Sequence, residues 1–281
     1  MAPIVLPTNP TIAAIDAHHE ANVDAPRPHM GVSMLGHACD RYLWLSFRWA
    51  LPKRHPGRIL RLFRRGHNEE ATIIRDLMAV GFVFRPSPDG QHRVDFGSHV
   101  SGSIDGIIES GVHAAPKKPH VAEFKTHSLK SFNDLVANGV EKSKPQHFVQ
   151  CQVYMHGTGI DRAFYLAVCK DDDRLHVERI RYDAEVAERA VARGKRLALA
   201  DEYPPPLSTD PSWYQCKMCD AHAYCFGGDA TEVQHCRVCR WSTAMPDSTW
   251  RCEKHDANGI PLGFQRTGCD GFELHDDLVP F

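Results

Sequence analysis

What the sequence lacks narrows the field first. No apolar run in the 281 residues approaches the roughly 18 needed to cross a membrane as a helix, so no membrane span is expected. Neither charge sign dominates: 33 Lys and Arg stand against 35 Asp and Glu, for a formal net charge of -2. That balance excludes a protein held on nucleic acid by bulk positive charge, but leaves room for a local basic groove. The opening stretch MAPIVLPTNPTIAAIDAHHE has no basic segment leading into an apolar one. A secretory signal is therefore not expected, and a reducing, cytoplasmic compartment is. No G-x-x-x-x-G-K-[ST] run occurs, so any ATP-driven unwinding would have to come from a partner. Internal repeats are also absent.

What the sequence has in excess is metal-ligand chemistry, with 10 Cys and 18 His. At 42% hydrophobic and 24% charged residues the composition is that of an ordinary globular chain, long enough to bury a core without staples. The cysteines therefore need a separate explanation. In a reducing compartment, clustered cysteines point to metal sites rather than disulfides.

Residues 1–28 are Pro-rich and aperiodic and read as a flexible arm. Ser33 is placed to cap a helix ending near Leu51-Pro52, and a second helix is predicted from Arg58 to a stop at Gly81. Short extended runs follow, HRVDFGS, HVSGSIDGIIES and PHVAEFKTH, and then a helix opened by Pro145. RAFYLAVCK and RLHVERIRY read as a hairpin, and Asp183 as the cap of a further helix. The order α, α, β, β, β, α, β, β, α predicts an α/β fold with a mixed central sheet flanked by helices. From Gly227 onward aliphatic residues are few, so residues 227–281 are expected to form a small metal-dependent module.

Chemistry concentrates in four places. On a strand, Glu123 and Lys125 share one face while Ala122, Phe124 and Thr126 share the other. A carboxylate beside an amine suits metal-assisted hydrolysis, and equally suits a plain surface ion pair. Asp105 lies upstream on an expected neighbouring strand, flanked by Gly102 and Gly106; Asp105-Gly106 also fits a hairpin turn. At helical spacing, His67 and Glu70 fall in one stripe with Ala71, Ile74, Leu77 and Met78, where burial calls for a partner or a metal. Gln146, Gln150 and Tyr154 recur along one face of the Pro145 helix, suiting either a phosphate backbone or a polar surface. Between Arg41 and Arg65 stand eight basic residues and no acidic one: Arg41, Arg48, Lys53, Arg54, Arg58, Arg61, Arg64 and Arg65. With Trp44 and Trp49 nearby, this run is a candidate DNA contact.

In order, Gly66-His67-Asn68-Glu69-Glu70, Gly102-Ser103-Ile104-Asp105, Glu123-Phe124-Lys125 and Gln150-Cys151-Gln152-Val153-Tyr154 resemble the motif series of the PD-(D/E)XK nuclease superfamily, in its RecB-like exonuclease branch. The resemblance spans about residues 33–226; Ile104 stands where the family's name has proline. It implies a restriction-endonuclease-like core over 29–226 and a metal-dependent deoxyribonuclease of bacterial or phage recombination, repair or DNA processing. It further implies that His67, Asp105 and Glu123, with the Phe124 carbonyl, hold Mg²⁺ or Mn²⁺. Lys125 would serve the attacking water, and Glu70, Gln150 and Tyr154 would support the site or the DNA. The implied partner is DNA, single-stranded or end-processed duplex, with a helicase or recombination protein possible beside it. Two other readings stay open: a non-catalytic DNA-binding scaffold on the same fold, and a nuclease of CRISPR adaptation.

The cysteines divide into two sets and a remainder. Cys216, Cys219 and Cys225 are three thiolates on one short segment, and a tetrahedral site wants a fourth, for which Cys39 is the candidate. The layout resembles CRISPR-associated and AddB-type members of the same branch, which implies a [4Fe-4S] cluster there; zinc is the alternative. Closing so long a loop would stabilise the fold by roughly 5 kcal/mol. Cys236, Cys239, Cys252 and Cys269 resemble a zinc ribbon, with His255 as an alternative to Cys269. Cys151 and Cys169 are expected to be ordinary interior thiols.

Overall fold

The computed structural model describes residues 9–51, 55–87, 90–228 and 231–279. Helix α1 (Pro10–Ala21), strand β1 (Met30–Gly31), helix α2 (Asp40–Phe47) and the long helix α3 (Gly57–Ala79) come first. Helix α1 occupies part of the stretch expected to be an arm. Asn9 caps it by accepting from the Thr11 N–H at 2.9 Å, and Pro10 sits in its first turn. It buries none of its residues, so it lacks the apolar stripe that would have marked it in the sequence. It docks on α3 through polar contacts: Gly57 N–H donates to Glu20 Oε1 at 2.7 Å, and Arg61 pairs with Asp16. Helix α2 starts at Asp40, not after Ser33. Cys39 caps it, its Sγ accepting from Tyr42 N–H at 3.5 Å. The earlier start fails because Val32–Met34 turn as a 3₁₀ segment and Gly36 passes against the backbone of Gln146, where a Cβ would lie 2.6 Å from its Cα.

The main sheet has the order β2 (Val83–Phe84), β5 (Gly106–Ser110), β6 (His120–His127), β7 (Arg162–Cys169) and β8 (Leu175–Arg181). A smaller sheet sets β4 (Val100–Ile104) between β1 and β3 (His92–Asp95). Strands β6 and β7 are parallel, and their neighbours in the main sheet are antiparallel. A parallel pair needs a crossover, supplied here by α4 (Leu129–Ser143) and α5 (Pro145–Thr158). Helix α4 was not expected. Gly139 interrupts it at φ 73°, where Glu178 accepts the freed Val140 N–H at 2.8 Å. Helix α6 (Ala184–Ala198) begins as anticipated, with Asp183 accepting from Val186 N–H. The α/β class with a mixed sheet and flanking helices therefore stands.

Two apolar clusters lie on opposite faces of β6. Val121 packs with Leu135 and Val153 of the crossover helices, while Ala122 and Phe124 pack with Ile73 and Leu77 of α3. The buried line of α3 is thus Ile73 and Leu77; His67, Ala71 and Met78 are exposed. The expected stripe was rotated, because only the C-terminal half of α3 reaches the core. Among the described residues, no helix is long and apolar enough to cross a membrane.

After the short helices α7 (Tyr214–Lys217) and α8 (His222–Phe226), the C-terminal segment forms a hairpin of β9 (Ser242–Ala244) and β10 (Trp250–Cys252) and helix α9 (Leu262–Thr267). It is not a separate appendage. Trp250 is 1% exposed and belongs to the main core, and Val238 and Leu278 pack with Trp44 and Leu45 of α2. Arg237 locks this junction. Its guanidinium stacks 3.8 Å over Trp49 and donates to Pro28 O (2.7 Å), Phe47 O (3.1 Å) and Gln265 Oε1 (3.0 Å). Burial pushes it down to about 9, so carbonyl and aromatic partners hold a cation that has no carboxylate.

Two outcomes are expected. Arg237→Leu strands two buried acceptors, Phe47 O and Gln265 Oε1, and should cost about 3 kcal/mol in denaturant unfolding. His99, at φ 65° against Phe47 and Trp250, is held neutral by burial and by Arg237, which bring it from 6.5 down to about 4. Between those values the unfolded chain binds the extra proton, so stability should fall as pH drops through that window. His99→Asn, which tolerates positive φ, should flatten the pH dependence of the melting temperature.

Candidate active site

The site is built where β4 leaves the small sheet and the chain enters β5. Asp105 is the corner residue. The β5–β6 ladder ends at Gly106 opposite Ala122, so the next outward N–H on β6, that of Phe124, needs another acceptor. Asp105 Oδ2 takes it at 2.8 Å. The carboxylate thus stands in for a ladder rung, which fixes it beside Glu123 and Lys125. The hairpin-turn alternative for Asp105-Gly106 fails, since the two residues join two different sheets.

Glu123 is fully buried, and Lys125 is the partner its carboxylate has among the described residues. Its Oε1 is in direct ion-pair contact with Lys125 Nζ, which also donates to Phe124 O at 3.2 Å. Burial pushes the Glu123 carboxyl up to about 8, and the like charges of Asp105 and Glu70 add to this against the pull of Lys125. Burial alone would lower the Lys125 ammonium, but Glu123 and Asp105 outweigh it and hold it above the ordinary lysine value. Burial, and then Asp105, also raise Glu70, while His67 and Lys125 oppose them. Helix α3 therefore turns Glu70 and His67 toward the acids of the sheet. The surface ion-pair reading of Glu123 and Lys125 does not hold.

A cleft of about 460 Å³ between α3 and β6 reaches Glu70 and Lys125 of this cluster, while Asp105 and Glu123 lie behind its lining. His67, Glu70, Phe63 and Lys125 line it, with Arg27 and Lys170, which sequence reasoning missed. Neither belongs to a basic run, so no signal marked them. The predicted run instead divides. Arg48 is buried under Trp44 and Trp250, and Arg41 stacks on Tyr203 and donates to Pro204 O. Trp44 and Trp49 are interior as well, so these two and Arg48 face the core, while Arg41 is half-buried and held on Tyr203. Arg61 is paired with Asp16, whereas Arg58, Arg64 and Arg65 are exposed. Lys53 and Arg54 lie outside the described residues.

Gln150 and Tyr154 are buried and support the corner from behind. Tyr154 OH donates to Ser103 O at 2.5 Å, and Gln150 donates to Tyr154 OH at 3.3 Å. They hold the last turn of β4 before Asp105, and a phosphate backbone cannot reach them. Gln146, one turn earlier, is exposed. Gly102 is pressed between Val32 and Tyr154, where an added Cβ would come within 2.8 Å and 3.0 Å of side-chain carbons. A second polar group was not foreseen: Tyr165, opposite Glu123 on β7, contacts His127 at 3.0 Å and His147 at 2.9 Å. Pairing between parallel strands and a helix made it, and no local pattern announces that.

Cys39, Cys216, Cys219 and Cys225 all line one cavity of about 320 Å³, where α7 and α8 meet the start of α2. All ten cysteines are free thiols, and Cys151 and Cys169 are buried. Cys236 lies within electrostatic reach of Cys239, Cys252 and Cys269. Among the described residues, no three His, Cys, Asp or Glu side chains stand at ligand spacing around a common point.

No family model matches the chain, and no curated protein sequence is similar to it. Among solved structures it is similar to the crystal structure of SSO0001, at 16% identity and TM-score 0.46 over 78% of this chain and 97% of that one. It is also similar to the alkaline exonuclease LHK-Exo from Laribacter hongkongensis, at 18% identity and TM-score 0.40 over 64% and 92%. The LHK-Exo complex with dAMP gives 14% and 0.39 over 66% and 90%. Similarity at this level carries no activity across to this chain.

Gly102→Ala should displace β4 from Tyr154 and lower stability by about 2 kcal/mol, measured by denaturant unfolding. Tyr154→Phe, which removes both the bond to Ser103 O and the one accepted from Gln150, should cost about 2 kcal/mol.

Proposed function

We propose that the chain is a divalent-metal-dependent DNA nuclease of the PD-(D/E)XK type. The observation that carries the reading is Glu123: a fully buried carboxylate paired with Lys125 and crowded by Asp105 and Glu70. Such a cluster of acids is costly unless a cation joins it, and a hard divalent ion takes oxygen ligands of this kind. Asp105 and Glu123 would hold Mg²⁺ or Mn²⁺, with His67 approaching from α3. When bound, the ion would lower the pKa of a coordinated water and offset charge developing on a phosphodiester. Lys125 has Nζ–H groups beyond those it gives Glu123 and Phe124 O, and one of them is available to orient the attacking water. Tyr154 and Gln150 keep Asp105 in place rather than touching substrate. Arg27, Lys170 and the exposed α3 arginines offer phosphate contacts along the cleft, and Phe63 offers a stacking face.

The same reading places a [4Fe-4S] cluster in the cavity lined by Cys39, Cys216, Cys219 and Cys225. Its role would be to tie the start of the nuclease domain to its end, since Cys39 caps α2 while the other three come from α7 and α8. The domain would span residues 29–226 and act in the cytoplasm of a bacterium or phage-infected cell, with any duplex unwinding left to a helicase or recombination partner.

The test is degradation of end-labelled single- and double-stranded DNA in Mg²⁺ or Mn²⁺ by anaerobically purified protein. Wild type should cut, while Glu123→Ala, Asp105→Ala and Lys125→Ala should each lose at least about 100-fold. Equal cutting by wild type and Glu123→Ala would sink the catalytic assignment. Iron should accompany the wild type and be lost in Cys216→Ser; an iron-free wild type would remove the cluster.

A further inference from the structure

The C-terminal thiols form a second group that the nuclease reading does not use. Cys236 opens a tight turn in which Cys239 N–H donates to Cys236 O at 3.0 Å, so two thiols leave one knuckle. Cys252 ends β10 and starts a second tight turn, closed by reciprocal bonds with Ala257 at 2.8 and 3.0 Å. Cys269 is delivered by Gly268. At φ 68° that residue packs on Gln234 and His235, where a Cβ would lie 3.1 Å from Gln234 O, and this brings the segment of Cys269 against the one that leads into Cys236. Three chain segments with little apolar side chain of their own thus bring four free thiols into one neighbourhood, short of ligand spacing around a common point. His255 takes a different place: its Nε2 is 3.4 Å from Cys269 Sγ, hydrogen-bond distance to a sulfur. That separation also suits two ligands of one tetrahedral ion, but four thiolates already fill such a set, which leaves the ring to donate to the Cys269 thiolate.

We propose that Cys236, Cys239, Cys252 and Cys269 hold a structural Zn²⁺, with His255 donating to the Cys269 thiolate from outside the ligand set. Four thiolates on turns match the tetrahedral preference of zinc, which would draw the sulfurs to about 2.3 Å from the ion. The knuckle also carries Arg237, whose side chain binds Phe47 O in the main core and Pro28 O at the surface. Pro28 adjoins Arg27 in the candidate cleft. Zinc therefore fastens one wall of that cleft as well as the C-terminal segment, and removing it should destabilise the whole chain in one transition.

The test uses the full chain, purified anaerobically with zinc, and counts zinc per chain by mass spectrometry of the metal. Cys239→Ser and Cys269→Ser should each lose about one equivalent relative to wild type, while Cys216→Ser and His255→Ala should retain that ion. Unchanged zinc in both Cys239→Ser and Cys269→Ser overturns the site, and loss in His255→Ala equal to that in Cys269→Ser overturns the four-thiolate set. Because the cysteine variants could fail to fold, wild-type alkylation gives an independent reading. Cys269, although exposed, should resist iodoacetamide until a chelator is added, when all four thiols react together; equal Cys269 labelling with and without chelator contradicts the proposal.

Discussion

The arrangement turns on one electrostatic constraint, the burial of the Glu123 carboxylate against Asp105 with a single lysine beside it. In a medium of low polarity such a group either takes up a proton or gathers positive charge. Lys125 supplies part of that charge, and the carboxyl still sits near 8. Much of the surrounding structure keeps the two acids close despite their repulsion. The Phe124 N–H anchors Asp105, Tyr154 anchors the strand that delivers it, and Gly102 lets Tyr154 approach. On the proposed reading, a divalent cation between the two acids would offset that repulsion.

The same logic explains why the C-terminal segment is integral to the fold. It has few aliphatic residues, yet Trp250 and Val238 are nearly inaccessible because they complete a core begun by α2. Arg48 and Arg237 lie within that junction, stacked on tryptophans and bonded to carbonyls, so the junction is polar at its centre and specific in its register. One continuous structure thus links the candidate cleft, the first cysteine cavity and the C-terminal thiols.

The parts of the site that were legible beforehand follow from local periodicity. Period two placed Glu123 and Lys125 on one face of a strand, and Pro145 and Asp183 marked helix starts through chemistry confined to a few residues. Features set by tertiary pairing were not legible. Asp105 became a corner because β4 and β5 pair in different sheets, and nothing in SGSIDGIIES says where pairing changes. The α3 stripe was misjudged by a residue because only half of the helix meets the core. The basic run misled for a different reason: charge patterning cannot tell a solvated arginine from one that, like Arg48, has aromatic faces and carbonyls to receive it. Gly139 hid α4 by breaking its pattern where Glu178 repairs the backbone.

The account stands on whether the two acids share a divalent cation, and Mn²⁺ binding without DNA measures that directly. In titration calorimetry near pH 8, the wild-type chain is expected to bind Mn²⁺ with a stoichiometry near one at the acid cluster. Asp105→Asn and Glu123→Gln should each abolish that binding, while Lys125→Met, which removes a competing cation and no carboxylate, should retain it. Undiminished binding in both carboxylate variants would contradict the account.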